Sequence, residues 1–250
     1  MTELTYSAII RLARLTFRAL AQPITITGLE HLPRTGGAVV AVNHISYVDF
    51  IYGGLPVVET GRKPRFMAKR ELFDHRVTGP VMRTLRHIEV DRTDGESSLA
   101  VALDCLRRGE VVGIFPEATI SRAMEIKALK TGAARIAAAA AVPLVPVVLW
   151  GTQRMMTKDH DRDLSRGKAI TITVGPPVPL SGDAVADTAS LRSSMSDLLD
   201  RAIRSYPQHE PGAWWVPASY GGTAPTLEQA AVLDAEERAA RAARRAGKST

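Results

Sequence analysis

Three apolar runs stand out along the chain: GAVVAV ending at Val42, VVGIF ending at Phe115 and VPLVPVVLW ending at Trp150. Each is bounded by polar or glycine-bearing turns and is too short for a helix, so each reads as a buried strand. ITIT (24–27), RFMAK (65–69), HIEV (87–90) and AITITVG (169–175) read as further strands, with helical material between RFMAK and HIEV. A 3.6-residue period marks helices in TYSAIIRLARLTFRALAQP (5–23), SSLAVALDCLRRG (97–109), ALKTGAARIAAAAA (128–141) and TASLRSSMSDLLDRAIRSY (188–206). Gly109 is a natural stop for the second of these. Strands alternating with helices predict an α/β fold: a mixed, largely parallel central sheet flanked by helices, with an N-terminal amphipathic helix. No internal repeat is visible.

The first helix has two faces. Arg11, Arg14 and Arg18 share one, and Ile10, Ala13, Phe17 and Leu20 form an apolar stripe on another. Three arginines interrupt every apolar run there, which fits neither a signal peptide nor a spanning segment. The expectation is a membrane-associating helix over residues 1–22, with the stripe in the lipid interface and the arginines at headgroups. A main domain then covers 23–205. After Tyr206 the composition turns rich in Pro and Gly, so 206–250 is expected to be an irregular arm followed by a polar helix or tail. Trp214 and Trp215 in that arm are expected to cap the core rather than meet a membrane.

The net charge of +6 over 250 residues points to an anionic partner, whether nucleic acid, anionic lipid or a phosphorylated substrate. The basic residues are dispersed, with no aromatic-interleaved basic stretch, which argues against nucleic acid. The one cysteine, Cys105, falls in an apolar helix pattern and reads as core filler. Six scattered histidines do not suggest a metal-dependent hydrolase.

The candidate chemistry begins in NHISYVDF, residues 43–50. Five helical steps of 100° would leave His44 and Asp49 about 140° apart, so they cannot share a helix face. His44 therefore belongs to the turn after GAVVAV, with Ser46 expected as N-cap and Asp49 at the third helical position. Taken alone the pair has two readings, a base with its orienting carboxylate or a turn histidine beside a helix-start acid. Other strand ends add chemistry: Lys69 after RFMA, Arg92 in VDRTDG and Glu117 in FPEAT. The carboxyl ends of strands are where open α/β sheets bind ligands, and cations beside a base suit a phosphorylated substrate.

These segments together resemble the glycerolipid acyltransferases, the group of 1-acyl-sn-glycerol-3-phosphate acyltransferases. NHISYVDF matches that family's N-H-x4-D block, beginning at Asn43. VDR is similar to the second block, without its leading glycine, and places the block's arginine on Arg92. FPEATIS is similar to the third, usually F-P-E-G-T-R-S, with Pro116 retained, Ala118 in place of glycine and Ile120 in place of arginine. VPLVPVVLWG resembles the fourth, around Pro146, and RFMAKRELF and LKTGAARIA resemble the lysine-bearing segments between. The likeness covers roughly residues 24–175. It implies transfer of an acyl group from a thioester, acyl-CoA or acyl-carrier protein, to the hydroxyl of lysophosphatidic acid, giving phosphatidic acid in phospholipid biosynthesis, with no other cofactor and no metal. His44 would be the base and Asp49 its partner. Lys69 and Arg92 would hold the acceptor phosphate, Glu117 and Thr119 would shape its pocket, and Arg122 is the expected substitute for the missing arginine. Glycerol 3-phosphate, another lysophospholipid or a glycolipid are alternative acceptors, and a non-enzymatic membrane-binding module is the alternative outside catalysis. The expected location is peripheral, on the cytoplasmic face of the cell membrane.

Overall fold

The computed structural model describes residues 2–91 and 95–246. The helices, in chain order, are α1 (Thr2–Ala19), α2 (Asp49–Glu59), α3 (Arg70–Asp74), α4 (Thr78–Thr84), α5 (Gly95–Arg107), α6 (Gly132–Ala140), α7 (Ala184–Arg204) and α8 (Leu227–Ala246). The strands are β1 (Ile24–Thr27), β2 (Ala38–Val42), β3 (Pro64–Lys69), β4 (Ile88–Val90), β5 (Val111–Ile114), β6 (Leu144–Trp150) and β7 (Ile170–Val174). They form one sheet in the order β1-β7-β6-β2-β5-β3-β4, parallel throughout except between β6 and β7.

The three apolar runs of the sequence become the centre of this sheet, where both faces are covered. In β2, Val39 and Ala41 face a core shared with α5, α6 and α7, while Ala38, Val40 and Val42 face a second core shared with α2. β6 divides in the same way, with Val148 and Trp150 on the first side and Val147 and Leu149 on the second. The chain leaves β2 across one face, crossing β5 to reach β3. It leaves β5 across the other face, crossing β2 to reach β6. Neighbouring strands whose connections depart in opposite directions open a crevice at their carboxyl ends. The loops after β2, β5 and β6 meet there.

Three expectations change on contact with the structure. Ser46 is not the N-cap of α2: Val48 is, and Asp49 is the first helical residue rather than the third. The helix expected from Ala128 begins only at Gly132. The amide of Lys127 donates to Glu117 Oε2 and that of Lys130 to the Pro116 carbonyl, so the chain before Gly132 serves the loop after β5 rather than a helical turn. The apolar stripe of α1 is not available to lipid. Phe17 is buried against Tyr52 with ring centroids 4.9 Å apart, Ala13 and Leu20 pack on the same cluster, and Arg14 pairs with Glu59 at 2.7 Å. The arm after Tyr206 is irregular and docked on the domain. Trp215 is buried against Trp150 and Tyr206, Trp214 stacks on His160 at 3.7 Å, and both tryptophans pack as expected.

Gly113 in β5 shows how tightly the sheet centre is filled. A Cβ there would stand 2.5 Å from the Phe66 ring. Phe66 stacks on Phe115 at 5.4 Å, and Phe115 stacks on His44 at 4.4 Å. Gly113→Ala is expected to destabilise the fold by about 1–3 kcal/mol, the usual cost of overpacking, read from urea unfolding. A change within error would mean that the ring column can slide.

Candidate active site

The loop between β2 and α2 is held at both ends. At its start Asn43 is fully buried, and its side-chain amide donates to the Leu149 carbonyl (3.1 Å) while its Oδ1 accepts from the Leu149 amide (2.7 Å). At its end Asp49, also fully buried, gathers the loop around its carboxylate. Oδ2 accepts from the amides of Ile45 (2.7 Å) and Ser46 (2.6 Å) and lies 3.0 Å from His44 Nδ1. Oδ1 accepts from the Thr152 hydroxyl at 2.6 Å, from the loop after β6. A carboxylate with this set of donors has only acceptor capacity to offer the imidazole, so Nδ1 carries the proton. In the neutral ring Nε2 is then the lone-pair nitrogen. The His44 side chain is about one-fifth exposed, at 22%, and Phe115 covers one ring face. Ser46, freed from capping, donates to the Met156 carbonyl at 2.6 Å.

The loop after β5 closes the other side. Glu117 is buried, and its Oε1 accepts from the His44 amide at 2.9 Å. Ser121 donates its amide to the His44 carbonyl at 2.7 Å, so this loop grips His44 by both backbone groups. Burial pushes the Glu117 carboxyl up to about 7; the amide bond from His44 and the charge of Lys127 oppose that rise without cancelling it. Ala118 adopts φ 61°, a left-handed conformation that costs an alanine roughly 1 kcal/mol and that glycine adopts freely.

A base whose ring orientation is set by a buried carboxylate, at the carboxyl ends of parallel strands, is an arrangement for moving a proton off a bound hydroxyl. The sequence model of the acyltransferase family matches residues 23–150. This chain belongs to that acyltransferase family. It is 29% identical to the 1-acyl-sn-glycerol-3-phosphate acyltransferase of Bacillus subtilis over 72% of this chain and 86% of that one. It is 30% identical to the 1-acyl-sn-glycerol-3-phosphate acyltransferase alpha of Homo sapiens, over 67% of this chain and 59% of that one. The fold resembles that of the crystal structure of the 1-acyl-sn-glycerophosphate acyltransferase PlsC from Thermotoga maritima, with a TM-score of 0.65, 21% identity and 81% of each chain covered.

Within this acyltransferase the expected site residues separate into three groups. Asn43, His44, Asp49, Pro116, Glu117 and Ala118 come together on the two loops. Thr119 follows them, its hydroxyl bonded to Lys127 Nζ. Lys69 ends β3, half-buried, and Arg92 lies outside the described residues. Arg122 differs from expectation. Its guanidinium is 8% exposed and is bonded to Asp159, Asp234 and Glu237, the last two on α8. Burial works against its charge, but these carboxylates outweigh it and raise its pKa further. While α8 is docked it is therefore taken and does not stand in for the missing arginine. Thr152 and Lys127 went unread in the sequence. No spacing rule links Thr152 to Asp49 across 103 positions; only the pairing of β6 with β2 does. Lys127 lies just before the stretch read as helical, and no motif in the sequence marked it.

The raised pKa of Glu117 carries a stability signature. Its folded value of about 7 exceeds the ordinary 4.5, so between those pH values the folded protein holds a proton that the unfolded chain has released. This contribution to stability is greatest below the lower value, falls by about 1.4 kcal/mol per pH unit across the window and levels off above it. Subtracting the stability of Glu117→Gln from that of the wild type, by urea unfolding between pH 4 and pH 8 at intervals of roughly one unit, should isolate the decline. A flat difference would mean that Glu117 titrates alike in the folded and unfolded chain.

Proposed function

We propose that this acyltransferase moves a fatty acyl group from an acyl thioester to the free hydroxyl of lysophosphatidic acid, giving phosphatidic acid. The observation that carries the mechanism is the 3.0 Å contact between His44 Nδ1 and the buried Asp49 carboxylate. With Nδ1 protonated, Nε2 removes the acceptor's hydroxyl proton as its oxygen bonds to the thioester carbonyl carbon. The resulting imidazolium is stabilised by Asp49. The tetrahedral intermediate then collapses: the carbon–sulfur bond breaks, and the departing thiolate takes the proton back from Nε2. No acyl-enzyme is required, and Cys105, buried in the core with its thiol pKa raised by burial, is not placed to form one. The thioester donor is acyl-CoA or acyl-carrier protein.

Purified protein should consume acyl thioester with lysophosphatidic acid, in a panel that also contains glycerol 3-phosphate, a lysophosphodiester and a glycolipid. His44→Ala should lower kcat by about 10²- to 10⁴-fold, the usual span for a lost general base, with little change in melting temperature. Asp49→Asn should lose both activity and stability, because it meets the Ile45 and Ser46 amides as well as the ring. Near wild-type turnover by His44→Ala rejects the mechanism, and a preference for another acceptor corrects the substrate.

The acceptor and product reside in a bilayer, and the reading includes peripheral attachment on the cytoplasmic face. Among the described residues no helix is long and apolar enough to cross a membrane. The support for attachment is the outward face of α1, where Leu12 (64% exposed) and Leu15 (59%) stand beside exposed Arg11 and Arg18. Exposed Leu72, Val77 and Val81 lie on α3, α4 and the turn between them, and α4 packs against α1. Apolar side chains flanked by arginines suit an anionic interface, each arginine contributing about 1 kcal/mol at low salt. Full-length Leu12→Asp/Leu15→Asp should co-sediment with phosphatidylglycerol vesicles less than the wild type does, and wild-type binding should weaken in high salt. Equal sedimentation of the two proteins moves attachment away from α1.

A further inference from the structure

Beside the catalytic loop lies a second cluster of charge. Arg122 is bonded to Asp159, Asp234 and Glu237. Lys127 Nζ lies 3.3 Å from Asp234, and Lys158 Nζ lies 3.1 Å from Asp234 and 2.8 Å from Glu237. The cluster is joined to the His44 loop through every cation. Arg122 follows Ser121, whose amide bonds the His44 carbonyl. Lys158 follows Thr157, whose hydroxyl bonds the Ile45 carbonyl at 2.7 Å. The Lys127 amide bonds Glu117, which holds the His44 amide.

The way α8 is attached is unusual for a helix of 20 residues. Among its described side chains only Ala230 and Asp234 are buried, while Leu227, Val232 and Leu233 point outward. Its grip on the domain is therefore largely electrostatic, through Asp234 and Glu237, which stand three apart on one face. Bonding to Lys158 holds the Glu237 carboxyl down at about 2; burial opposes ionisation of Asp234, but Lys158 and Lys127 outweigh it. Both are thus anions at neutral pH. Without them, three cations would be left with Asp159 and the partly ionised Glu117, a local excess of roughly one to two positive charges. A phosphate monoester carries about −1.5 to −2 at pH 7, the charge that α8 supplies.

We propose that Lys127 and Lys158 form the acceptor-phosphate clamp of this acyltransferase, and that Asp234 and Glu237 of α8 occupy it until a phosphate monoester displaces them. The proposal rests on the acyl-transfer reading for its substrate. Lys127, bonded to Thr119 Oγ1 and 3.4 Å from the Ile120 carbonyl, supplies a cation beside the position where Ile120 offers none. Exchange of one dianionic partner for another keeps the cations paired at both stages, so no desolvated charge is left alone.

Two measurements on the full-length protein test this. In turnover, Asp234→Asn/Glu237→Gln should lower the apparent KM for lysophosphatidic acid by severalfold and leave the donor's unchanged. Lys127→Met should raise the acceptor KM by about ten- to a hundredfold, the span for one lost charged hydrogen-bond partner. An unchanged or raised acceptor KM in the double variant overturns the proposal. The second measurement needs no turnover: tryptic cleavage of wild-type α8, at Arg238 or Arg241. Inorganic phosphate, and lysophosphatidic acid below its aggregation threshold, should each speed cleavage beyond sodium chloride of equal ionic strength, whereas lysophosphatidylcholine should not. Acceleration by the lipid alone would assign the clamp to the lipid headgroup, and acceleration by both would assign it to the phosphate itself. Acceleration by neither overturns the proposal. A protein that consumes no thioester, yet shows phosphate-dependent cleavage that Lys127→Met abolishes, would lose the acyl-transfer reading and keep the clamp.

Discussion

A carboxylate with no exposed surface is tolerable only when donors meet its charge, and Asp49 meets that condition with four. Two are amides of the loop it closes, one is the His44 imidazole and one is a hydroxyl from a neighbouring strand end. The same bonds that make the charge affordable curl the β2–α2 loop, set the tautomer of His44 and tie that loop to the one after β6. Structure and chemistry at this position are one requirement. This is why the acid at the start of α2 and the hydrogen-bond partner of His44, opposed readings in the sequence, are one side chain.

The sheet was legible because its centre is buried on both faces, and burial on both faces writes continuous apolar runs. The crossing of connections that makes the crevice was not written in any run, since strand order is a property of the whole chain. Local capping rules misplaced the start of α2. They weigh a serine hydroxyl against nearby amides, and here Ser46 is drawn away by the Met156 carbonyl, 110 positions on. The α1 stripe was read correctly as apolar and assigned to the wrong partner. Hydrophobic periodicity identifies a face that leaves water without saying whether protein or lipid receives it.

The site residues divide along the same line. Asn43, His44, Asp49, Pro116 and Glu117 were legible because they are contiguous in two short motifs. Arg122 was nominated by its nearness in sequence to the altered position, but Asp159, Asp234 and Glu237 had already taken its guanidinium. The three acids lie 37, 112 and 115 positions downstream. Charge pairing over such separations leaves no local trace, and the apparent freedom of a surface-type residue in a sequence is the least transferable of its properties.

Asn43 carries the last consequence. Its side chain makes with Leu149 the same reciprocal pair of bonds that a strand residue makes with its backbone. Sheet pairing thus extends one residue past β2, right up to His44, and leaves no joint between the rigid scaffold and the imidazole. The entropy of aiming His44 is lost once, during folding, and is not charged again at each catalytic cycle.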